Sequence, residues 1–257
     1  MNTFKLSIII SICYFALVQN CPHADELEKD QLIETAHYKN GDVVPYILTV
    51  KDTTKVKYAL IVMPGGVGIL APELRDGSLR FQLGGNFLIR SRTLFADDET
   101  VVASTDSTGS PERMMAIVND LLMRYPNSQI IIIGTSKSTI STMQLAEKLD
   151  GKVDGFIHTS SMSGISKFDT KKLMSRQLIV HHKKDECRFT PYSSAESNKD
   201  EYGTTLITME GGKTEGNPCE AFGYHGYNGI EKDTVNKIKD WIKANQGRAS
   251  SSKGQFP

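Results

Sequence analysis

The segment Tyr58–Met63 restricts the possible folds more than any other part of the sequence. It reads Tyr-Ala-Leu-Ile-Val-Met and ends at Pro64-Gly65-Gly66. A strand that is apolar at every position is buried on both faces, as in the parallel sheets of α/β proteins, whereas a half-exposed strand alternates. We therefore expect a central sheet that is covered by helices on both faces.

Strands and helices alternate along the rest of the chain, which favours a mostly parallel sheet in a single α/β domain. The clearest helix is Pro111–Arg124, where Ser110 is a suitable N-cap, proline follows it, and apolar residues recur with helical periodicity. The predicted strands are 43–50, 58–63, 101–104, 129–133, 153–158, 177–181 and 204–208, and the predicted helices are 111–124, 139–149, 191–199 and 230–244.

The start of the domain differs from this pattern. Residues 25–34 are polar, and we predict that they are helical or irregular. Asn40-Gly41-Asp42 directly precedes the first predicted strand and is typical of a hairpin turn. The sheet is therefore expected to have an antiparallel N-terminal edge.

Residues 1–24 resemble a secretory signal peptide. Lys5 precedes an apolar run over 6–18, and more polar residues lead to Ala24. The run is shorter than the roughly 20 residues that a spanning helix needs; an uncleaved anchor or a buried first helix is the alternative. We predict a domain over 25–247, a flexible tail over 248–257, a secreted or periplasmic location, and no membrane span in the mature chain.

Charge and composition exclude some partners. Lys plus Arg equals Asp plus Glu, so the formal net charge is zero, which gives no electrostatic reason to expect nucleic acid as a partner. The sequence does not predict an oligomeric state.

A candidate nucleophile lies where the predicted strand 129–133 meets the next helix. The sequence there is Gly134-Thr-Ser-Lys-Ser138. A serine on a tight strand-to-helix turn projects from the sheet, and its backbone is strained, so the residues two before and two after it must be small. Gly134 and Ser138 meet this requirement and make Ser136 the candidate; an ordinary helix N-cap serine is the alternative.

Serine needs a base, and the base needs an orienting acid. His225 lies in a glycine-containing loop after the last predicted strand, and Asp185 lies in the loop after strand 177–181. Glu186 is the alternative acid, and an ordinary exposed loop histidine is the alternative for His225. A metal site within 181–187 is the other possibility, but its spacing matches no ligand pattern, so we expect neither metal nor cofactor.

Stabilising an oxyanion requires two backbone N–H groups. The residue after the nucleophile, Lys137, is expected to supply one. The glycine-rich loop after Met63 is expected to supply the other from Gly66, with Val67 as second choice.

Three further expectations concern the surroundings of this site. Fewer than about 20 residues separate the strands near 158 and 177, which is short for a lid. Residues 85–92 are expected to form a wall of the pocket; Arg90 and Arg92 within it are candidates to bind a carboxylate, although solvated surface arginines are the more common case. If Asp185 and His225 meet, Cys187 and Cys219 are expected to be close enough for a disulfide that joins their loops, and two free buried cysteines that pack as small apolar groups are the alternative.

Taken in order, these motifs resemble the α/β-hydrolase superfamily. They are the strand followed by Pro-Gly-Gly-Val-Gly, the segment 85–90, the 134–138 turn, His-His-Lys-Lys-Asp-Glu-Cys187, and the segment from Pro218-Cys219 to His225-Gly226. The set is similar to a group of secreted bacterial hydrolases, and this resemblance implies the fold and the Ser-Asp-His triad.

The resulting functional prediction is a serine hydrolase that cleaves a carboxylic ester of a small molecule through an acyl-enzyme. A secreted serine peptidase or amidase on the same scaffold is the alternative, because the triad does not distinguish esters from amides. A hydrolase-like binding protein without activity is a third possibility, and fold alone would not settle it.

Overall fold

The structure is a computed structural model, and it describes residues 30–52 and 54–244. The predicted signal segment 1–24 and the tail 248–257 lie outside these residues. The strands are β1 Gln31–His37, β2 Val43–Thr49, β3 Tyr58–Met63, β4 Glu73–Arg75, β5 Ser78–Arg80, β6 Thr100–Ser104, β7 Gln129–Thr135, β8 Gly155–Thr159, β9 Arg176–His182 and β10 Thr205–Met209.

Eight of these strands form one sheet in the order β1-β2-β6-β3-β7-β8-β9-β10. The six strands from β6 to β10 are parallel, whereas β1 and β2 pair antiparallel, as β2 and β6 do. The predicted parallel sheet with an antiparallel N-terminal edge is therefore confirmed.

The expectation of a helical or irregular start was wrong from Gln31 onward. Residues 31–37 form β1, which pairs with β2 along its whole length, from Gln31 opposite Thr49 to His37 opposite Val43. Its side chains are only partly buried, so the apolar signal in the sequence is weak. Backbone pairing with β2 supplies the order that side-chain patterning does not indicate.

Helices cover both faces of the sheet. Residues of β3 alternate between the two apolar cores: Ala59 packs on one side and Leu60 on the other. The helices are α1 Phe87–Arg90, α2 Arg92–Phe95, α3 Pro111–Arg124, α4 Ser138–Lys148, α5 Tyr192–Tyr202 and α6 Glu231–Ala244. The first core includes residues of α3, α4 and α5, and the second includes residues of α1, α2 and α6.

The connection from β8 to β9 is short, as the sequence predicted. Residues 160–175 contain two 3₁₀ helices, Ser163–Lys167 and Thr170–Lys172, and no longer helix that would form a lid. In the described part of the chain, no helix is long and apolar enough to cross a membrane.

A buried histidine on β8 makes the stability of this fold depend on pH. His158 Nδ1 lies 2.7 Å from Thr142 Oγ1, and its Nε2 lies 3.1 Å from Gln177 Oε1. Burial lowers the pKa of His158 to about 4, and the hydrogen bond to Gln177 opposes this only in part. Between about pH 4 and 6.5, the unfolded chain, with a histidine pKa of about 6.5, therefore binds a proton that the folded chain does not bind.

We therefore expect the unfolding free energy to fall by about 2 to 3 kcal/mol between pH 7 and 4.5, in addition to the effect of the carboxyl groups. A His158→Gln variant should lack this contribution, although it starts from a lower stability. Urea unfolding of both proteins at the two pH values measures the difference. An equal loss on acidification in the two proteins would exclude His158 as its source.

Candidate active site

The turn after β7 holds Ser136 in a left-handed backbone conformation, with a φ of 54°. Non-glycine residues rarely adopt this conformation, so other contacts must hold it. The backbone N–H of Ser136 donates to Thr159 O over 3.0 Å at the end of β8. Ser138 Oγ donates to Met63 O at 2.9 Å and accepts from the backbone N–H of Thr135 at 2.7 Å. The turn that carries the strained serine is therefore attached to both neighbouring strands, through Ser136 to β8 and through Ser138 to β3.

Close packing around this turn explains the small residues that the sequence has there. A Cβ on Gly134 would lie 2.7 Å from Thr142 Cγ2 and 2.8 Å from Ser138 O. A Cβ on Gly65, in the loop after β3, would lie 2.9 Å from Ser136 Cβ. Both contacts are shorter than real Cβ contacts, so glycine is needed at both positions.

The two segments expected to supply oxyanion donors are neighbours. The Cβ position of Gly65 is 3.6 Å from Lys137 N, which places the loop after β3 against the residue that follows Ser136. Gly66 is exposed and has a φ of 63°, and Val67 beside it is 70% exposed. Gly65 packs against the turn of Ser136, and the next residue, Gly66, is exposed.

Asp185 and His225, which are 40 residues apart in sequence, meet at the same edge of the sheet. His225 Nδ1 lies 2.9 Å from Asp185 Oδ2, and both side chains are buried. Asp185 comes three residues after β9, and its Oδ1 accepts from the backbone N–H of Cys187 at 3.0 Å. An imidazole bonded through Nδ1 to a carboxylate directs Nε2 away from that carboxylate, as a general base requires.

Opposing effects set the charge state of Asp185. Burial raises the pKa of this carboxyl, but hydrogen bonds from His181 and His225, together with the charges of these imidazoles, outweigh the burial. The pKa of Asp185 is therefore held well below its usual value. The group is a carboxylate at neutral pH and accepts hydrogen bonds from the imidazoles.

Ser136 and His225 are both bonded to the end of β8. Ser136 bonds to Thr159 O, and the next residue, Ser160, donates through Oγ to His225 O at 2.6 Å. Within the described residues no hydrogen bond joins Ser136 Oγ to His225. Such bonds are often long in ligand-free enzymes and shorten when substrate binds.

Sequence reasoning missed the residues that hold the turn of His225. Ser160 and Tyr227 both have a positive φ, 44° and 59°. The Tyr227 hydroxyl accepts from Ser160 N at 2.9 Å and donates to Val180 O at 2.8 Å. These contacts attach the turn to β8 and β9, and no local sequence pattern indicates them.

Thr190 was also missed, although it touches both members of the acid–base pair. Its hydroxyl lies 3.0 Å from Asp185 Oδ2 and 3.1 Å from His225 Nδ1. Since Nδ1 donates to the carboxylate, the threonine hydroxyl donates to Asp185.

Arg90 and Arg92 were expected either to bind a carboxylate or to be solvated surface residues, and both interpretations were wrong. Arg90 is a structural link: it bonds to Glu231 Oε1 and donates to Gly85 O and Gly226 O, both at 2.6 Å. Its guanidinium therefore joins the segment 85–92 to the turn of His225.

Arg92 is only 6% exposed, and all three of its guanidinium nitrogens donate to protein acceptors. It bonds twice to Gln31 Oε1 on β1 and once to Ile89 O. Burial lowers the pKa of Arg92 to about 10. Neither arginine is a solvated surface residue, and neither is free to bind a substrate carboxylate.

The expected disulfide is present. Cys187 and Cys219 are joined, with their Cα atoms 4.6 Å apart. It connects the loop of Asp185 to the segment that leads to His225. The His225 turn has further anchors in Ser160, Tyr227 and Arg90.

Comparisons with known proteins identify the fold. The sequence matches no protein-family model and no curated protein. Among solved structures, an α/β serine hydrolase without a lid from Xanthomonas campestris has a TM-score of 0.55 at 11% identity, and the match covers 82% of this chain and 95% of that one. The esterase domain of a Rhodothermus marinus protein has a TM-score of 0.59 at 10% identity, with coverages of 83% and 98%.

A third similar structure is the acylaminoacyl peptidase of Pyrococcus horikoshii, with a TM-score of 0.56 at 11% identity. That match covers 90% of this chain but 44% of the peptidase. The chain therefore has the α/β-hydrolase fold, as its sequence motifs implied. At these identities the comparisons establish the fold and leave the activity to be argued from the site.

Removing the disulfide should lower stability. The two cysteines are 32 residues apart, and in the chain-entropy account a loop of this length contributes roughly 3.5 to 4 kcal/mol. We expect the Cys187→Ser, Cys219→Ser double variant to lose up to about that much unfolding free energy in urea. Thiol titration of an unreduced, denatured chain that begins at residue 25 is the control: two reactive thiols, from Cys187 and Cys219, would contradict the bond itself.

Proposed function

We propose that this chain is an exported serine hydrolase that cleaves a carboxylic ester. Ser136 would be the nucleophile, His225 the general base and acid, and Asp185 the residue that orients His225. The observation that carries the proposal is that a buried Asp185–His225 contact of 2.9 Å and a serine with a strained backbone are both hydrogen-bonded to the end of β8.

The first half of the reaction would form an acyl-enzyme. As Ser136 Oγ attacks the ester carbonyl carbon, its proton moves to His225 Nε2, and the carbonyl electron pair moves to oxygen. Backbone N–H groups of Lys137 and Gly66 would stabilise that oxyanion. When the carbonyl re-forms, the bond to the alcohol oxygen breaks, and His225 Nε2 gives the leaving oxygen its proton.

The second half would hydrolyse the acyl-enzyme. Water gives a proton to His225 Nε2 and attacks the acyl carbon, and the second intermediate collapses with release of Ser136 Oγ, which takes the proton back. Asp185 keeps its negative charge throughout, since its hydrogen bonds favour the charged form. Its carboxylate stabilises the imidazolium in both halves.

A peptide or amide substrate is the second candidate. The fold match to an acylaminoacyl peptidase favours it, because the same three groups act on amides when His225 protonates the leaving amine. A panel of p-nitrophenyl esters and aminoacyl anilides, assayed with one preparation, separates the two.

Substitution of the proposed triad should abolish hydrolysis without unfolding the protein. We expect Ser136→Ala and His225→Ala to lower kcat by about 10⁴- to 10⁶-fold, and Asp185→Asn by about 10²- to 10⁴-fold. Exposed residues provide matched controls, Ser193→Ala on α5 and His37→Ala on β1, which should keep wild-type kcat. Undiminished turnover by purified Ser136→Ala would refute the mechanism. Absence of turnover of every substrate by the wild type would favour a binding protein.

Export rests on residues 1–24 together with the disulfide. Disulfides persist in oxidising compartments, so the Cys187–Cys219 bond agrees with a secreted or periplasmic location. We expect protein recovered from its native host to begin near residue 25, as read by intact-mass spectrometry. Recovery of the chain from the cytosol with Met1 intact would overturn the proposal of export.

A further inference from the structure

A second imidazole, that of His181, contacts the proposed acid. His181 lies on β9, four residues before Asp185, and is fully buried. Its Nε2 is 3.2 Å from Asp185 Oδ2 and 3.0 Å from Thr190 O. Both partners are acceptors, so Nε2 carries the hydrogen and shares it between them. The role of His181 as a donor is therefore fixed by its surroundings.

The other ring nitrogen has no partner. His181 Nδ1 is buried and makes no hydrogen bond within the described part of the chain. An unsatisfied buried nitrogen costs about 1 to 3 kcal/mol, which an apolar side chain at this position would not cost. Structural packing alone therefore does not account for an imidazole here, whereas its hydrogen bonds to Asp185 and to Thr190 O do.

Three donors converge on one carboxylate oxygen. Asp185 Oδ2 accepts from His225 Nδ1 at 2.9 Å, Thr190 Oγ1 at 3.0 Å and His181 Nε2 at 3.2 Å, while Oδ1 accepts from the backbone of Cys187. Donors that share an oxygen also share its negative charge. Each extra donor therefore weakens the hydrogen bonds that the carboxylate accepts from the other donors. It also restricts the orientation of the carboxylate.

We propose that His181 is a positioning residue that acts on His225 through Asp185, fixing the carboxylate and limiting how strongly it holds the Nδ1 proton. This inference rests on the proposed function, since it assigns His181 a part in the same site. By taking a share of the charge on Oδ2, His181 lets the imidazolium formed during the reaction return its proton to the leaving group.

Other titratable groups face this cluster and have to be held constant in any test. His182 and Lys184 lie on the same strand and loop, Tyr192 of α5 packs edge-on against His181, and Tyr227 lies within electrostatic range of Asp185. Burial raises the pKa of Tyr227 and lowers that of His182, so neither gains charge near neutral pH.

The test compares His181→Phe, which fills the space without a donor, with His181→Gln, whose amide N–H replaces Nε2–H. With one donor fewer, the carboxylate holds the His225 proton more tightly. We expect the acidic limb of the kcat/KM–pH profile to move up by about half to one pH unit in His181→Phe, with kcat lowered several-fold. His181→Gln should return both towards the wild-type values.

His158→Gln is the matched control, because it changes a buried histidine on the adjacent strand that makes no contact with Asp185. It should lower stability without shifting the acidic limb of the kcat/KM–pH profile. An acidic limb at the wild-type pH in His181→Phe, or an equal shift in His158→Gln, would overturn the proposal. If His181→Phe does not fold, Thr190→Val removes another donor to Oδ2 and should move the limb in the same direction; failure to do so would equally overturn it.

A second measurement separates this proposal from the proposed function. The Nδ1 proton of His225 is expected at low field in the ¹H NMR spectrum, and it needs no substrate to be observed. It should move further downfield in His181→Phe and return in His181→Gln. If the wild type hydrolyses no ester or amide but this shift occurs, the proposed function fails while His181 retains its role. An unmoved resonance in His181→Phe overturns the inference whatever the activity.

Discussion

The carboxylate of Asp185 is a buried negative charge, and a buried charge is stable only when its oxygens are hydrogen-bonded. Several neighbouring groups supply these hydrogen bonds to the carboxylate of Asp185. The loop after β9 turns so that the backbone N–H of Cys187 reaches Oδ1, and Thr190 and His181 reach Oδ2. His225 completes the set from a loop 40 residues away. The hydrogen bonds that stabilise this one carboxylate thus fix the relative positions of three chain segments.

The parallel sheet makes this convergence possible. The carboxyl ends of β7, β8 and β9 lie side by side, so the residues that follow them meet at one edge without long connections. β8 lies between the other two and bonds to both sides of the site: Thr159 to Ser136, and Ser160 to the turn of His225. The central strand of the three carries neither proposed catalytic group, yet it sets the spacing between them.

Much of this architecture was predictable, for reasons that particular elements make clear. The strand Tyr58–Met63 and the helix Pro111–Arg124 have the predicted bounds, because burial on both faces and a defined N-cap leave strong patterns. β1 was missed because its apolar residues do not alternate with polar ones and most of its side chains are not buried, so that its pairing with β2 is the main source of its order. The exposed hairpin β4–β5 was missed as well, although Asp76-Gly77 is a recognisable turn signal.

In the candidate site, too, some residues could be predicted from the sequence and others could not. Ser136, Asp185 and His225 were chosen as candidates from their order along the chain and from the small residues around them. Ser160, Tyr227, Thr190 and His181 were not, because their roles depend on backbone angles and on contacts between distant loops. The two arginines were misread because a charged side chain in a sequence does not reveal the acceptors that bury it, here Gln31 and Glu231.

The anchors of the His225 turn also bear on the order in which the chain assembles. Ser160, Tyr227 and Arg90 fix this turn through bonds that involve no sulfur. The sheet and the turn can therefore form while both thiols are reduced, and folding itself brings Cys187 and Cys219 together. Oxidation can then follow the native contacts, so the first collapse of the chain does not depend on the sulfur–sulfur bond.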